Sequence, residues 1–318
     1  MALSEFDIIA RYFSAETGRD DVIVGVGDDA AVLRPPADRE LVMAVDTLVA
    51  GRHFTADADP ADVGFKAVAV NLSDLAAMGA EPAWMTLALT LPEADPDWLA
   101  AFAGGLREAA APVDLALVGG DTTAGPLTVT VQVCGFVPFG QALRRAGARP
   151  GDEIFVTGRL GEAGLALELI QGRLELPLAE RERVMARLNR PKPRLAAGRA
   201  LRGVASSAID VSDGLAADLG HILEASGVGA TLELNRLPLS PVFDTLGDER
   251  RWQLPLSAGD DYELVFTAAD AAAVTEAAAV AGVTMSPIGR IETQPGLRCL
   301  DPTGARVDPP STGYNHFP

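Results

Sequence analysis

The chain has 318 residues, room for about two domains at roughly 100–200 residues each. Lys and Arg number 26 against 44 Asp and Glu, a formal net charge of −18, whereas a surface that displaces counterions from nucleic acid or anionic lipid needs the opposite sign. The lysines are Lys66 and Lys192 alone, which excludes a lysine-lined phosphate cradle, and Cys134 and Cys299, far apart, make no disulfide framework and suit a reducing cytoplasm.

Met1–Arg11 mixes acidic with apolar residues and has no basic segment ahead of an apolar run, so it reads as an amphipathic helix, not a signal. Strands are predicted over Leu41–Asp46, Trp84–Leu91, Leu115–Val118 and Leu127–Val137, short apolar or β-branched runs bounded by Gly, Pro or Asp. Between them Asp59-Pro60 opens a helix that runs to Met78 and stops at Gly79, and a second helix covers Pro96–Ala111. The most apolar stretch, Val63–Leu91, is broken by Asn71, Asp74, Glu81 and Pro82 and leaves no membrane span. Turn-forming residues from Arg144 to Asp152 mark a boundary between domains 1–143 and 144–318. Beyond it the pattern predicts a strand at Glu153–Thr157, helices at Glu162–Gln171, Glu180–Leu188 and Arg194–Arg202, and a strand approaching Asp210. A helix over Asp213–Ala225, strands near Thr231–Leu234 and Glu263–Thr267, and an Ala-rich helix over Ala269–Ala281 complete it. The fold class is α/β, mixed α+β, with a mixed sheet and packed helices in each domain.

Five Asp-bearing segments stand at the ends of these elements. Carboxylates brought together repel one another unless something positive holds them as anions, and oxygen-only clusters suit a hard divalent cation such as Mg²⁺. Asp28-Asp29 follows Gly25 and Gly27, so one carboxylate can reach a metal while the other bonds backbone amides, or the pair simply closes a turn. Asp74 shares a helix face with Asn71 on an otherwise apolar helix, where a carboxylate needs a partner and Lys66 stands two turns away. Gly119-Gly120-Asp121 follows a strand, which places Asp121 at its carboxyl end and lets backbone approach a nucleotide, or else makes a tight turn. In Asp210-Val211-Ser212-Asp213-Gly214 the helix that follows offers amides to an anion, with Asp210 and Asp213 carrying metal to it; simple capping by Ser212 or Asp213 leaves Asp210 unexplained. Asp260-Asp261-Tyr262-Glu263 either meets a cationic or hydroxylated group or is a solvated beginning of a strand. His53 reads as a loop's hydrogen-bonding residue, and Arg144-Arg145 as a solvated turn or a phosphate clamp in an interdomain cleft.

No P-loop, protein-kinase set, zinc spacing or Gly-x-Ser-x-Gly elbow is present. The segments in order, with Val45–Phe54 and Lys66–Ala80, resemble the thiamine-monophosphate kinase family, within the superfamily of aminoimidazole ribonucleotide synthetase, over essentially the whole chain. The resemblance implies the two-domain synthetase-like fold, an N-terminal ATP/Mg²⁺-binding and dimerisation domain, and a C-terminal domain that completes the nucleotide and substrate site. It implies ATP-dependent, Mg²⁺-assisted in-line phosphorylation of thiamine monophosphate to thiamine diphosphate by a cytoplasmic homodimer, with no general base or covalent nucleophile. Matching positions are Asp29, Asp46, Asp74, Asp121, Asp210 and Asp213 for Mg²⁺; Gly120, Asp121, Arg145 and Ser212 for nucleotide; His53, Asp260 and Tyr314 for substrate. Ala44-Val45 stands where relatives carry hydroxyl residues, and Asp260 stands where Glu occurs, which shortens that reach. A selenophosphate synthetase wants a reactive Cys near the N-terminus and the hydrogenase-maturation relative a C-terminal one; neither is here. The alternatives are a ligase like aminoimidazole ribonucleotide synthetase and a non-catalytic binding protein stapled by divalent cations.

Overall fold

The computed structural model describes residues 4–14 and 18–309; Tyr314 lies outside the described residues. The chain forms two compact units, one of the described residues up to Leu75 with Ala80–Gly140, the other of Ala76–Gly79 with the described residues from Gln141 on.

In the first unit α1 (Glu5–Ile8) begins with a capping box, in which the Ser4 hydroxyl accepts from the Asp7 amide while Asp7 reaches back to Ser4. The short pair β1 (Val22–Val24) and β2 (Val32–Leu33) follows. Then come β3 (Arg39–Val49), α2 (Pro60–Ala77), β4 (Glu81–Leu91), α3 (Pro96–Ala110), β5 (Ala116–Ala124) and β6 (Thr128–Pro138). Their sheet runs β3-β6-β4-β5, antiparallel except for β4 and β5, which are parallel because α3 carries the chain back between them. Inner strand β4 buries Trp84, Met85, Leu87 and Leu89, and β6 alternates buried Val129, Val131 and Val133 with half-buried Thr128, Thr130 and Gln132. Helix α2 starts where Asp59 accepts from the Ala61 amide at 2.8 Å and stops where Gly79 turns left-handed at φ 68°.

The second unit contains β7 (Glu153–Thr157), α4 (Glu162–Ile170), α5 (Leu178–Asn189), α6 (Leu195–Ala200), β8 (Ser207–Asp210), α7 (Leu215–Ser226) and β9 (Gly229–Glu233). It continues with α8 (Asp248–Ser257), β10 (Leu264–Ala268), α9 (Ala271–Ala281), β11 (Met285–Glu292), β12 (Gly296–Leu300) and β13 (Arg306–Val307). The sheet order is β13-β12-β9-β11-β7-β10-β8. The α7 stripe of Leu215, Leu219, Ile222 and Leu223 lies in one core with Ile154, Val156, Ile209 and Val265; burying each such side chain contributes about 1.5–3 kcal/mol. That packing holds the amino end of α7 beside the carboxyl end of β8, where Asp210 stands.

Two expectations change here. The strand expected over Leu115–Val118 runs on to Ala124 as β5, so Asp121 lies inside a strand and not in a turn after one. The reason is pairing with β4: Gly120 sits so close to it that a Cβ would come 1.8 Å from the Leu87 carbonyl, which only glycine permits. Strands β11 to β13 and helix α8 were not anticipated; β11 carries Pro287 and Gly289 at a register shift and α8 carries Pro255 inside it, both of which imitate turns in sequence.

Candidate active site

In the first unit a cavity of about 540 Å³ is lined by Asp28, Asp29, Gly119, Gly120 and Asp121. All three carboxylates are exposed. The Asp28 carboxylate accepts from the Asp29 amide at 2.8 Å, so one Asp28 oxygen closes the turn while both residues line the cavity. Asp46 lies on β3, whose backbone amide donates to Asn71 Oδ1 on α2 at 3.0 Å. Asn71 in turn donates to the Ala67 carbonyl at 2.9 Å and is buried. The Asn71–Asp74 face of α2 therefore meets the strand that carries Asp46, with Asp74 half-buried. His53 Nδ1 accepts from the Val49 amide at 2.9 Å, and buried Lys66 reaches the His53 carbonyl at 3.4 Å. The structure thus gives His53 the loop-closing bond read from the sequence.

In the second unit two acidic loops lie back to back. β8 and β10 are antiparallel partners, and beyond them the Asp260 amide donates to the Ser212 carbonyl and the Tyr262 amide to the Val211 carbonyl, each at 2.9 Å. A Cβ on Gly259 would stand 2.1 Å from the Ser212 carbonyl. Neither Ser212 nor Asp213 caps α7. Its N-cap is Gly214, and the amides of Ser212, Asp213 and Gly214 all donate to Asp218 Oδ2 at 3.0, 3.0 and 3.1 Å. These three amides, at the N-cap and ahead of it, are thus spent on Asp218. Sequence reasoning passed over that residue, although an acid in the first turn of a helix that lacks a side-chain cap was a usable signal. Burial, then Asp210 and Asp213, pushes the Asp218 carboxyl up to about 8.

The second loop is not a solvated beginning of a strand. Asp261 is 2% exposed and Glu263 0%. Glu263 accepts a bidentate pair from Arg194 at 2.6 and 2.5 Å, another bond from Arg187 at 2.8 Å, and one from the Thr157 hydroxyl at 2.7 Å. Asp261 accepts from the Gly161 amide at 2.7 Å at the start of α4, and burial pushes it up to about 8. Asp260 and Tyr262 take left-handed φ of 66° and 49°, an uncommon conformation outside glycine that concentrates at functional sites. Arg145 is exposed in the loop before β7, its carbonyl accepting from Ser226 at 3.4 Å.

Among the described residues no three His, Cys, Asp or Glu side chains come together to hold a metal by themselves. An ion held by one or two carboxylates and a substrate's phosphates needs no such cluster. The donor set fits that kind of ion: it is all carboxylate, and Asp210 and Asp213 already disfavour charge on Asp218, a crowding that a cation relieves.

The family model described as AIR synthase related protein, N-terminal domain, matches residues 27–137, and its C-terminal counterpart matches 149–301. Thiamine-monophosphate kinase from Escherichia coli strain K12 is 47% identical over 322 aligned residues, which cover 100% of this chain and 99% of that protein. The chain belongs to the thiamine-monophosphate kinase family. It has that family's two-domain fold. The crystal structure of thiamine-monophosphate kinase from Stenotrophomonas maltophilia K279a superposes with a TM-score of 0.87 at 46% identity, covering 96% of this chain and 99% of that one. AaThiL complexed with AMPPCP and TMP gives a TM-score of 0.78 at 30% identity, covering 89% of each chain.

Proposed function

We propose that this chain is an ATP-dependent thiamine-phosphate kinase, which transfers the γ-phosphoryl group of ATP to the phosphate of thiamine monophosphate and yields thiamine diphosphate and ADP. The observation that carries this reading is 47% identity to a thiamine-monophosphate kinase over the full length of both chains, supported by likeness to a relative that holds an ATP analogue and TMP. An oxygen of the acceptor phosphate forms the new bond to the γ-phosphorus as the bond to the ADP oxygen breaks. The acceptor is already an oxyanion, so no side chain has to remove a proton, and the work of the protein is positioning and charge stabilisation.

In this reading Asp29, Asp46, Asp74 and Asp121 of the first unit and Asp210 and Asp213 of the second hold Mg²⁺. When bound, the ion neutralises phosphate charge that would otherwise keep two polyanions apart. Gly120 and Asp121 meet the nucleotide where the backbone comes closest, Ser212 meets it from the loop that Asp218 fixes, and Arg145 offers a planar pair of donors to phosphate. His53, Asp260 and Tyr314 meet thiamine monophosphate. The enzyme works in the cytoplasm: no helix among the described residues is long and apolar enough to cross a membrane, and the two cysteines are free. It is a homodimer that uses β3, where Leu41, Met43 and Val45 alternate outward and are 47, 57 and 59% exposed. A solution mass twice the 33.1 kDa of one chain checks that.

A single-turnover assay with γ-labelled ATP tests the function. ADP should appear only when thiamine monophosphate and Mg²⁺ are both present, with no label left on the protein. ADP formation indifferent to thiamine monophosphate defeats the reading, and a trapped phospho-enzyme defeats direct transfer.

A further inference from the structure

We infer that Tyr262 is a positioning residue for the substrate: its phenol holds the Asp260 carboxylate in the orientation that receives thiamine monophosphate. The inference rests on the proposed kinase reading and on the place that reading gives Asp260. Tyr262 donates from its hydroxyl to Asp260 Oδ1 at 2.9 Å, and the residue is 8% exposed. On a helix a residue and the one two places on do not face each other, and in a strand they point the same way about two residue rises apart. Here the two side chains meet, and both residues are left-handed, at φ 66° and 49°. Those conformations cost on the order of 1 kcal/mol each and persist only where surroundings impose them.

The surroundings are on either side. Asp261, between the two, is buried and tied to the Gly161 amide at 2.7 Å. The Asp260 and Tyr262 amides are both spent on the loop of Val211 and Ser212. Glu263, next in sequence, is gripped by Arg187 and Arg194, and Arg187 also donates to the Asp261 carbonyl at 3.2 Å. Asp261 and Glu263 are thus fixed on either side of Tyr262, and the phenol limits rotation of the Asp260 side chain. Asp has one methylene fewer than Glu, so a reach this short works only if the carboxylate is aimed. A carboxylate with one oxygen engaged by a hydroxyl still presents negative charge to the thiazolium cation and to the amino group of the thiamine moiety.

Tyr262→Phe removes one oxygen and keeps the ring, its burial and the backbone. The expected result is a rise of about tenfold or more in KM and in the calorimetric Kd for thiamine monophosphate, the scale of a lost hydrogen bond to a charged group. kcat and the KM for ATP should stay within about twofold, a split that general loosening of the fold would not produce. In an Asp260→Gly background, where glycine accepts the left-handed backbone, Tyr262→Phe should change nothing further. If the wild type turns over but Tyr262→Phe binds thiamine monophosphate normally, or raises KM equally in the Asp260→Gly background, the inference is overturned while the kinase reading stands. If the wild type neither binds nor phosphorylates thiamine monophosphate, both fall.

Discussion

Around the cavity of the first unit Asp28, Asp29 and Asp121 are exposed, whereas Asp218, Asp261 and Glu263 of the second unit are each at most 2% exposed. The first set stands in water and spends little on its neighbours. The second is bound into amides, arginines and hydroxyls that fix two loops against each other. The same residue type thus does two kinds of work, and burial separates them: an exposed carboxylate is available to a ligand, while a buried one must be satisfied before the chain can fold.

Substitutions sharpen this contrast. The largest effect on stability is expected at Glu263, because Glu263→Gln leaves Arg187 and Arg194 facing a neutral group; breaking a buried ion pair costs about 3–5 kcal/mol. Denaturant midpoints read this directly, and a loss below about 1 kcal/mol would place Glu263 among ordinary surface charges. Next comes Asp218→Ala, which orphans amides at a cost of about 1–3 kcal/mol for a buried donor and loosens the loop of Ser212 and Asp213, so turnover should drop with stability.

Asp218 also gives a pH signature. Its carboxyl is pushed from 3.8 to about 8, so the folded chain keeps a proton that the unfolded chain has released. Stability is then fully present below about pH 4 and is lost as pH rises to about 8. Asp261 acts in the same direction. Unfolding midpoints at about pH 5 and about pH 8 should differ less in Asp218→Asn than in the wild type; an unchanged slope would contradict the assignment. The smallest effect on stability is expected in the first unit. Asp29→Asn and Asp121→Asn should stay within about 0.5 kcal/mol of the wild type while Mg²⁺-dependent turnover collapses, and normal activity in both would remove them from the metal set.

Local chemistry made much of this legible in sequence. β7 lies where its apolar run puts it, α2 begins at Asp59-Pro60, and the Leu215, Leu219, Ile222, Leu223 stripe of α7 packs as its spacing requires. What was not legible depends on partners far along the chain. β5 continues through Gly119 and Gly120 only because β4 lies beside it, and Glu263 is buried only because Arg187 and Arg194 reach it. The role of Asp218 was not legible because a residue inside the helix reaches back to amides at and ahead of the N-cap.

The central claim is tested most directly by following the transferred group. With γ-labelled ATP, Mg²⁺ and thiamine monophosphate, the label should appear as the terminal phosphate of thiamine diphosphate, one per ADP formed. Label released as inorganic phosphate, or ADP without thiamine diphosphate, would contradict it.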